Sequence, residues 1–191
     1  MKKFVSLLVT LFFISTSLVH AAIDPSQLPE SKRTVSGKYL SANEAYEMVV
    51  KNPQKVLFID IRTPAETQYV GIADQVNLNI PYMLDDYSAW DSKKNRFLMS
   101  PNSAFTMKIA DALAARSLKK SDPIVLICRS GDRSASAANL LNSAGYSNVY
   151  TVYDGFEGDK SKEDRRNVNG WKNANLPWGY KLDQQRAYLA L

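Results

Sequence analysis

The chain has 191 residues, 45% of them hydrophobic, with 24 Lys and Arg against 19 Asp and Glu for a net charge of +5, one cysteine and one histidine. That length holds one domain with a real core. The positive charges are few and interleaved with acids, which argues against nucleic acid as a partner, and a lone cysteine excludes a disulfide-stapled scaffold.

Lys2 and Lys3 precede an apolar run from Phe4 to Val19 that closes on Val19-His20-Ala21. This pattern predicts a cleavable secretory signal over residues 1–21. The run is shorter than the ~20 residues of a membrane span and carries Ser6, Thr10, Ser15, Thr16 and Ser17. The expected location is therefore periplasmic or secreted, with no membrane anchor after cleavage. Cleavage leaves 22 basic against 19 acidic residues and removes His20, the only histidine. A Cys-His or Ser-His-Asp relay is then excluded, and a zinc site would have to be mostly carboxylate, an unusual ligand set. Neither a metal nor a cofactor is expected. Cysteines in an oxidising compartment normally pair, so the unpaired Cys128 is either an inert core residue or a working thiol.

Residues 22–37 are polar, contain Pro25 and Pro29 and lack periodicity, which predicts a loosely held arm. The domain is expected over 38–181, with a tail over 182–191. Ser41, with Glu44 three residues on, predicts a capped helix that stops at Asn52-Pro53. Val56 to Asp60 reads as a short strand buried on both faces, Thr63-Pro64 as the start of a helical turn, and Gln75 to Pro81 as an alternating strand. Tyr82 to Ser103 is long for a connection; its aromatics are expected to cover the domain. A helix follows from about Ala104 to Leu118, with Phe105, Ile109, Ala112 and Leu113 at core spacing. Asp122-Pro123 then opens the strand IVLIC, Arg133 to Ala144 reads as a helix ending at Gly145, and NVYTVYDG as a further strand. Strands alternating with helices predict an α/β domain with a mainly parallel central sheet flanked by helices.

In such a sheet ligands bind beyond the carboxyl ends of the strands, and Cys128 ends one. The residues after it, Arg129, Ser130, Gly131, Asp132, Arg133 and Ser134, can curl so that their N–H groups converge, with Gly131 supplying the tight turn. A ring of donors at a helix N-terminus holds an anion, including the thiolate of Cys128 itself. A cysteine closing a core strand is often only a small hydrophobe, but the glycine turn and two arginines within five residues favour a reactive thiol.

The loop CRSGDRS, the stretch FIDIRTPAE from Phe58 to Glu66 and the segment GWKNANLPW from Gly170 to Trp178 together resemble the rhodanese family of sulfurtransferases, over about residues 38 to 180. The resemblance implies a rhodanese-like domain in which Cys128 is the catalytic nucleophile. It would take a sulfane sulfur from a donor such as thiosulfate and pass it, as a persulfide, to a thiol, to cyanide or to a protein sulfur acceptor. Arg129 to Ser134 would be the substrate-binding loop, with Arg129 and Arg133 attracting the anionic donor. Asp60, Arg62 and Glu66 read more simply as structure: an ion pair between Arg62 and Glu66, with Asp60 stabilising a turn. One departure from the family is that Asp154-Gly155-Phe156-Glu157-Gly158-Asp159 lacks a Gly-Gly pair and places aspartate where the family has tryptophan.

Two other readings compete. A Cys-dependent phosphatase needs five residues between cysteine and arginine, but here the sixth position is Ser134 and the arginine comes one residue early. A non-catalytic sulfur carrier or binding module would keep the same loop.

Overall fold

The computed structural model describes residues 23–189. The expected signal segment, with His20, lies outside the described residues. The elements in chain order are β1 (Tyr39–Leu40), α1 (Ala42–Lys51), β2 (Leu57–Asp60), α2 (Pro64–Val70), β3 (Ile72–Ala73), β4 (Leu78–Asn79), β5 (Met83–Asp91), β6 (Arg96–Pro101), α3 (Phe105–Ala115), β7 (Ile124–Ile127), α4 (Asp132–Ser143), β8 (Val149–Val152) and β9 (Trp178–Gly179). Five strands form a wholly parallel sheet in the order β1-β8-β7-β2-β4, flanked by the four helices.

The two central strands show why consecutive apolar residues are needed. Leu57 and Ile59 of β2 and Ile124 and Leu126 of β7 face a core built with α3 and α4, while Phe58, Val125 and Ile127 face a second core with Ala42, Ala45 and Val49 of α1. Side chains alternate across a strand, so a sheet covered on both sides demands an unbroken apolar run.

Both helix-start signals are realised. Ser41 Oγ accepts from the Glu44 amide while the Glu44 carboxylate accepts from the Ser41 amide, and Thr63 and Glu66 repeat the arrangement ahead of Pro64. The strand expected over Gln75 to Pro81 is pared to Leu78–Asn79, because only this stretch ladders onto Ile59 and Asp60 of β2.

Two segments differ from expectation. The arm is not loosely held: it forms two 3-10 turns, Pro25–Gln27 and Glu30–Lys32, and Leu28 between them and Lys32 at the end of the second are buried. Lys32 is fixed by a 2.6 Å ion pair with Asp159. The long connection after Tyr82 is an antiparallel hairpin of β5 and β6 with a register shift between Asp86 and Trp90. Its aromatics do not cover the core; Tyr87, Trp90 and Phe97 are exposed and pack edge-to-face on one another. The sequence from Gly170 to Trp178 returns to the domain, where Trp171 is buried against Phe58 and Tyr46, and β9 pairs antiparallel with β3.

Candidate active site

Strand β7 delivers Cys128 to the carboxyl edge of the sheet, one residue past its last laddered position, and α4 begins four residues later. The chain turns between them at Gly131, whose φ of +101° suits glycine alone, and a side chain there would run into the Tyr153 carbonyl. The amides of Gly131 and Ser134 point at Cys128 Sγ from 3.2 and 3.4 Å. Ser134 Oγ lies 3.5 Å from the sulfur, donates to the Gly131 carbonyl and is held by Thr151 Oγ1 at 2.6 Å. Cys128 is only 1% exposed, yet it forms the floor of an open cavity of about 340 Å³. The sulfur is thus neither in the aliphatic core alone nor on the surface.

The segment that departs from the family pattern is the bed on which this loop lies. The amides of Phe156 and Glu157 donate to the Cys128 and Arg129 carbonyls at 2.8 and 2.9 Å. Gly155, with φ of +67°, approaches so closely that a Cβ there would come within 2.6 Å of the Arg129 carbonyl group and the Ser130 nitrogen. Asp154 accepts from the Ala42 amide at the start of α1 and from the Gly170 amide, so one carboxylate ties a helix end to the returning chain. Burial outweighs these two bonds and raises its pKa to about 6.

The predicted loop residues divide by role. Arg133 forks both terminal nitrogens onto the Glu66 carboxylate at 2.7 and 2.6 Å, bracing α4 against α2. Burial opposes the Glu66 charge, but the Arg133 bonds and charge prevail and hold its pKa down to about 2. Arg62, expected to pair with Glu66, instead sits fully buried on Asp60. Its guanidinium also donates to the Gly71 carbonyl and lies 3.9 Å from the centre of the Phe156 ring. Helical spacing failed as a guide because Arg62 precedes α2 rather than belonging to it. Asp132 turns away from the sulfur: it accepts from Ser130 Oγ at 3.0 Å and from Ser31 Oγ of the arm at 2.6 Å. Those two hydroxyls outweigh burial and lower its pKa. Arg129 alone among the predicted arginines is left without a carboxylate; its Nε is buried and unpartnered.

Three residues around the cavity lie outside the sequence-based reading: Ser31, Lys94 and Arg96. Ser31 comes from the arm, and Lys94 and Arg96 from the tip and second strand of the hairpin. The one available signal was the turn-like cluster Asp91 to Asn95 between two runs rich in aromatic and aliphatic residues, which marks a hairpin.

A thiol at the end of a buried parallel strand, facing amides at the start of the next helix, defines the class as an α/β domain with a cysteine-centred loop at the carboxyl edge of its sheet. Residues 41–162 match the rhodanese-like domain, and the chain belongs to that family. An uncharacterized RP600 homolog of Rickettsia rickettsii is 34% identical over 146 residues, 76% of this chain and all of that protein. The crystal structure of Rv0390 from M. tuberculosis matches with a TM-score of 0.59 and 28% identity, covering 75% of this chain and 97% of that one. A shorter match, 47% identical over 49 residues, links 26% of this chain to 44% of the thiosulfate sulfurtransferase GlpE of Pseudomonas savastanoi pv. phaseolicola.

Proposed function

We propose that this sulfurtransferase-type domain moves a sulfane sulfur from a donor such as thiosulfate to a thiol or cyanide acceptor through a persulfide on Cys128. The observation that carries the reading is the pair of amides, from Gly131 and Ser134, aimed at Cys128 Sγ on the floor of an open cavity. The short match to a thiosulfate sulfurtransferase favours thiosulfate as the first donor to try.

The thiolate attacks the outer sulfur of thiosulfate. A bond forms between Sγ and that sulfur, the S–S bond of the donor breaks, and its electron pair departs on sulfite. The acceptor then attacks the outer sulfur of the persulfide, and the pair of the cleaved bond returns to Sγ. Such a cycle needs no histidine and no external oxidant. The loop amides offset the negative charge on sulfur before and after transfer, with the Ser134 hydroxyl fixed 3.5 Å from Sγ beside them. Arg129 attracts the anionic donor, while Arg133 holds the loop to α2 through Glu66. The phosphatase alternative is disfavoured because the only arginine near the required spacing is already committed to a carboxylate.

The test is thiocyanate formation from thiosulfate and cyanide, with Cys128→Ser as control. Turnover in the parent protein and none in the variant supports the proposal; aryl phosphate hydrolysis without sulfur transfer from any sulfane donor overturns it. We also propose export, with the mature chain starting at Ala22, on the basic start, apolar run and small closing residues of 1–21.

A further inference from the structure

The cavity above Cys128 has a neighbour. A second chamber of about 310 Å³ lies under the β5–β6 hairpin, and the two share Arg96, Arg129 and Arg133 as a common wall. The second chamber is lined largely by carbon, with Val70 and Ala65 on one side and Tyr87, Phe97 and Met99 on the other. Each volume lies in the ~300–1,000 Å³ range of pockets that hold organic molecules, so the pair exceeds what a small inorganic anion would occupy.

The charges in this double cavity are unbalanced in a particular way. Arg133 is neutralised by Glu66, and Asp132 is satisfied by two hydroxyls. Lys94, Arg96 and Arg129 remain, and none of them takes part in an ion pair among the described residues. Against these three stand two carboxylates, Asp132, which its hydroxyl partners stabilise without neutralising, and Asp85, which accepts from the Tyr87 hydroxyl at 3.4 Å, so one positive charge is in excess. The Nε atoms of both Arg96 and Arg129 are buried with no hydrogen-bond partner. The two residues themselves are only half-buried and stand in the wall shared by both cavities, with no carboxylate on either guanidinium among the described residues.

We propose that the chamber under the hairpin binds the carbon body of an organic thiol that bears an acidic group, with Arg96 as its anion clamp, so that this thiol is the acceptor of the Cys128 sulfur. The inference rests on the sulfurtransferase reading. An inorganic donor needs only the sulfur-facing cavity, and apolar walls add nothing to its binding; they serve a partner that carries carbon. Seated there, the acceptor thiolate attacks the outer persulfide sulfur and forms a new S–S bond. The bond to Cys128 Sγ breaks with its electron pair on Sγ, and the acceptor departs as a persulfide.

The experiment loads Cys128 with thiosulfate, removes the excess, and follows discharge of the persulfide in a single turnover by 4-mercaptobenzoate, thiophenol and 3-mercaptopropionate. The first carries both an apolar body and an acid; each of the others lacks one of them or offers less of it. 4-Mercaptobenzoate is expected to half-saturate at about a tenth of the concentration the other two require. Arg96→Ala should reduce the preference for 4-mercaptobenzoate over thiophenol about tenfold, and Arg96→Lys should restore part of it. Equal half-saturation for the three thiols, or a preference untouched by Arg96→Ala, overturns the inference. Failure of the parent protein to load sulfur at all would instead overturn the sulfurtransferase reading, since loading precedes any acceptor.

Discussion

Arg129 and Arg133 are chemically identical side chains four residues apart, and their surroundings give them opposite work. The Arg133 fork on Glu66 uses up its charge, whereas Arg129 faces the cavity without a carboxylate. Arg129→Ala should therefore lower kcat/KM for thiosulfate by about ten- to a hundredfold, mainly through KM, the cost of about 1.5–3 kcal/mol for one charge-assisted contact. Steady-state kinetics with cyanide as acceptor measures this, and a loss confined to kcat would count against a binding role. Arg62 poses a different question. Its pair with Asp60 is fully buried, so Arg62→Ala strands a carboxylate in the core and should lower stability by about 3–5 kcal/mol in urea unfolding, with Asp60→Asn on top restoring part of it.

Among the elements, the join between α1, the end of β8 and Gly170 is held by Asp154, and it makes stability depend on pH. Because the folded-state pKa, about 6, stands above the ordinary aspartate value of 3.8, the contribution is fully present below pH 3.8 and is lost as pH rises through 6. Glu66 has the opposite sign: its pKa of about 2 against 4.5 gives stability that is present above pH 4.5 and lost toward pH 2. Between pH 4.5 and 6 only the Asp154 effect should operate, and no histidine among the described residues interferes. The urea midpoint should fall across that window in the parent and stay level in Asp154→Asn. The paired apolar strands, the Ser41–Glu44 capping box, the helix start at Thr63-Pro64 and α3 were legible in the sequence because burial on both faces, capping residues and helical spacing each write a local pattern. The hairpin was not, because the register shift after Asp86 destroys the alternation that marks a strand, and the arm was not, because Lys32 and Ser31 are anchored by partners more than a hundred residues away.

For the whole molecule, three separate stretches of chain converge on one sulfur: the arm through Ser31, the hairpin through Lys94 and Arg96, and the loop after β7. Only the last was readable from sequence, since a strand, a cysteine and a glycine turn are contiguous, whereas the other two reach the site through the fold. If residues 1–21 are removed as proposed, N-terminal sequencing of protein from the native host should find Ala22, and retention of Met1 would refute export. The central claim is that Cys128 carries sulfur, and intact-mass measurement of the purified protein tests it most directly. The account predicts a gain of one sulfur atom after thiosulfate, its loss on adding a thiol, and no gain in Cys128→Ser. No gain from thiosulfate or any other sulfane donor, or a gain that persists in Cys128→Ser, would contradict it.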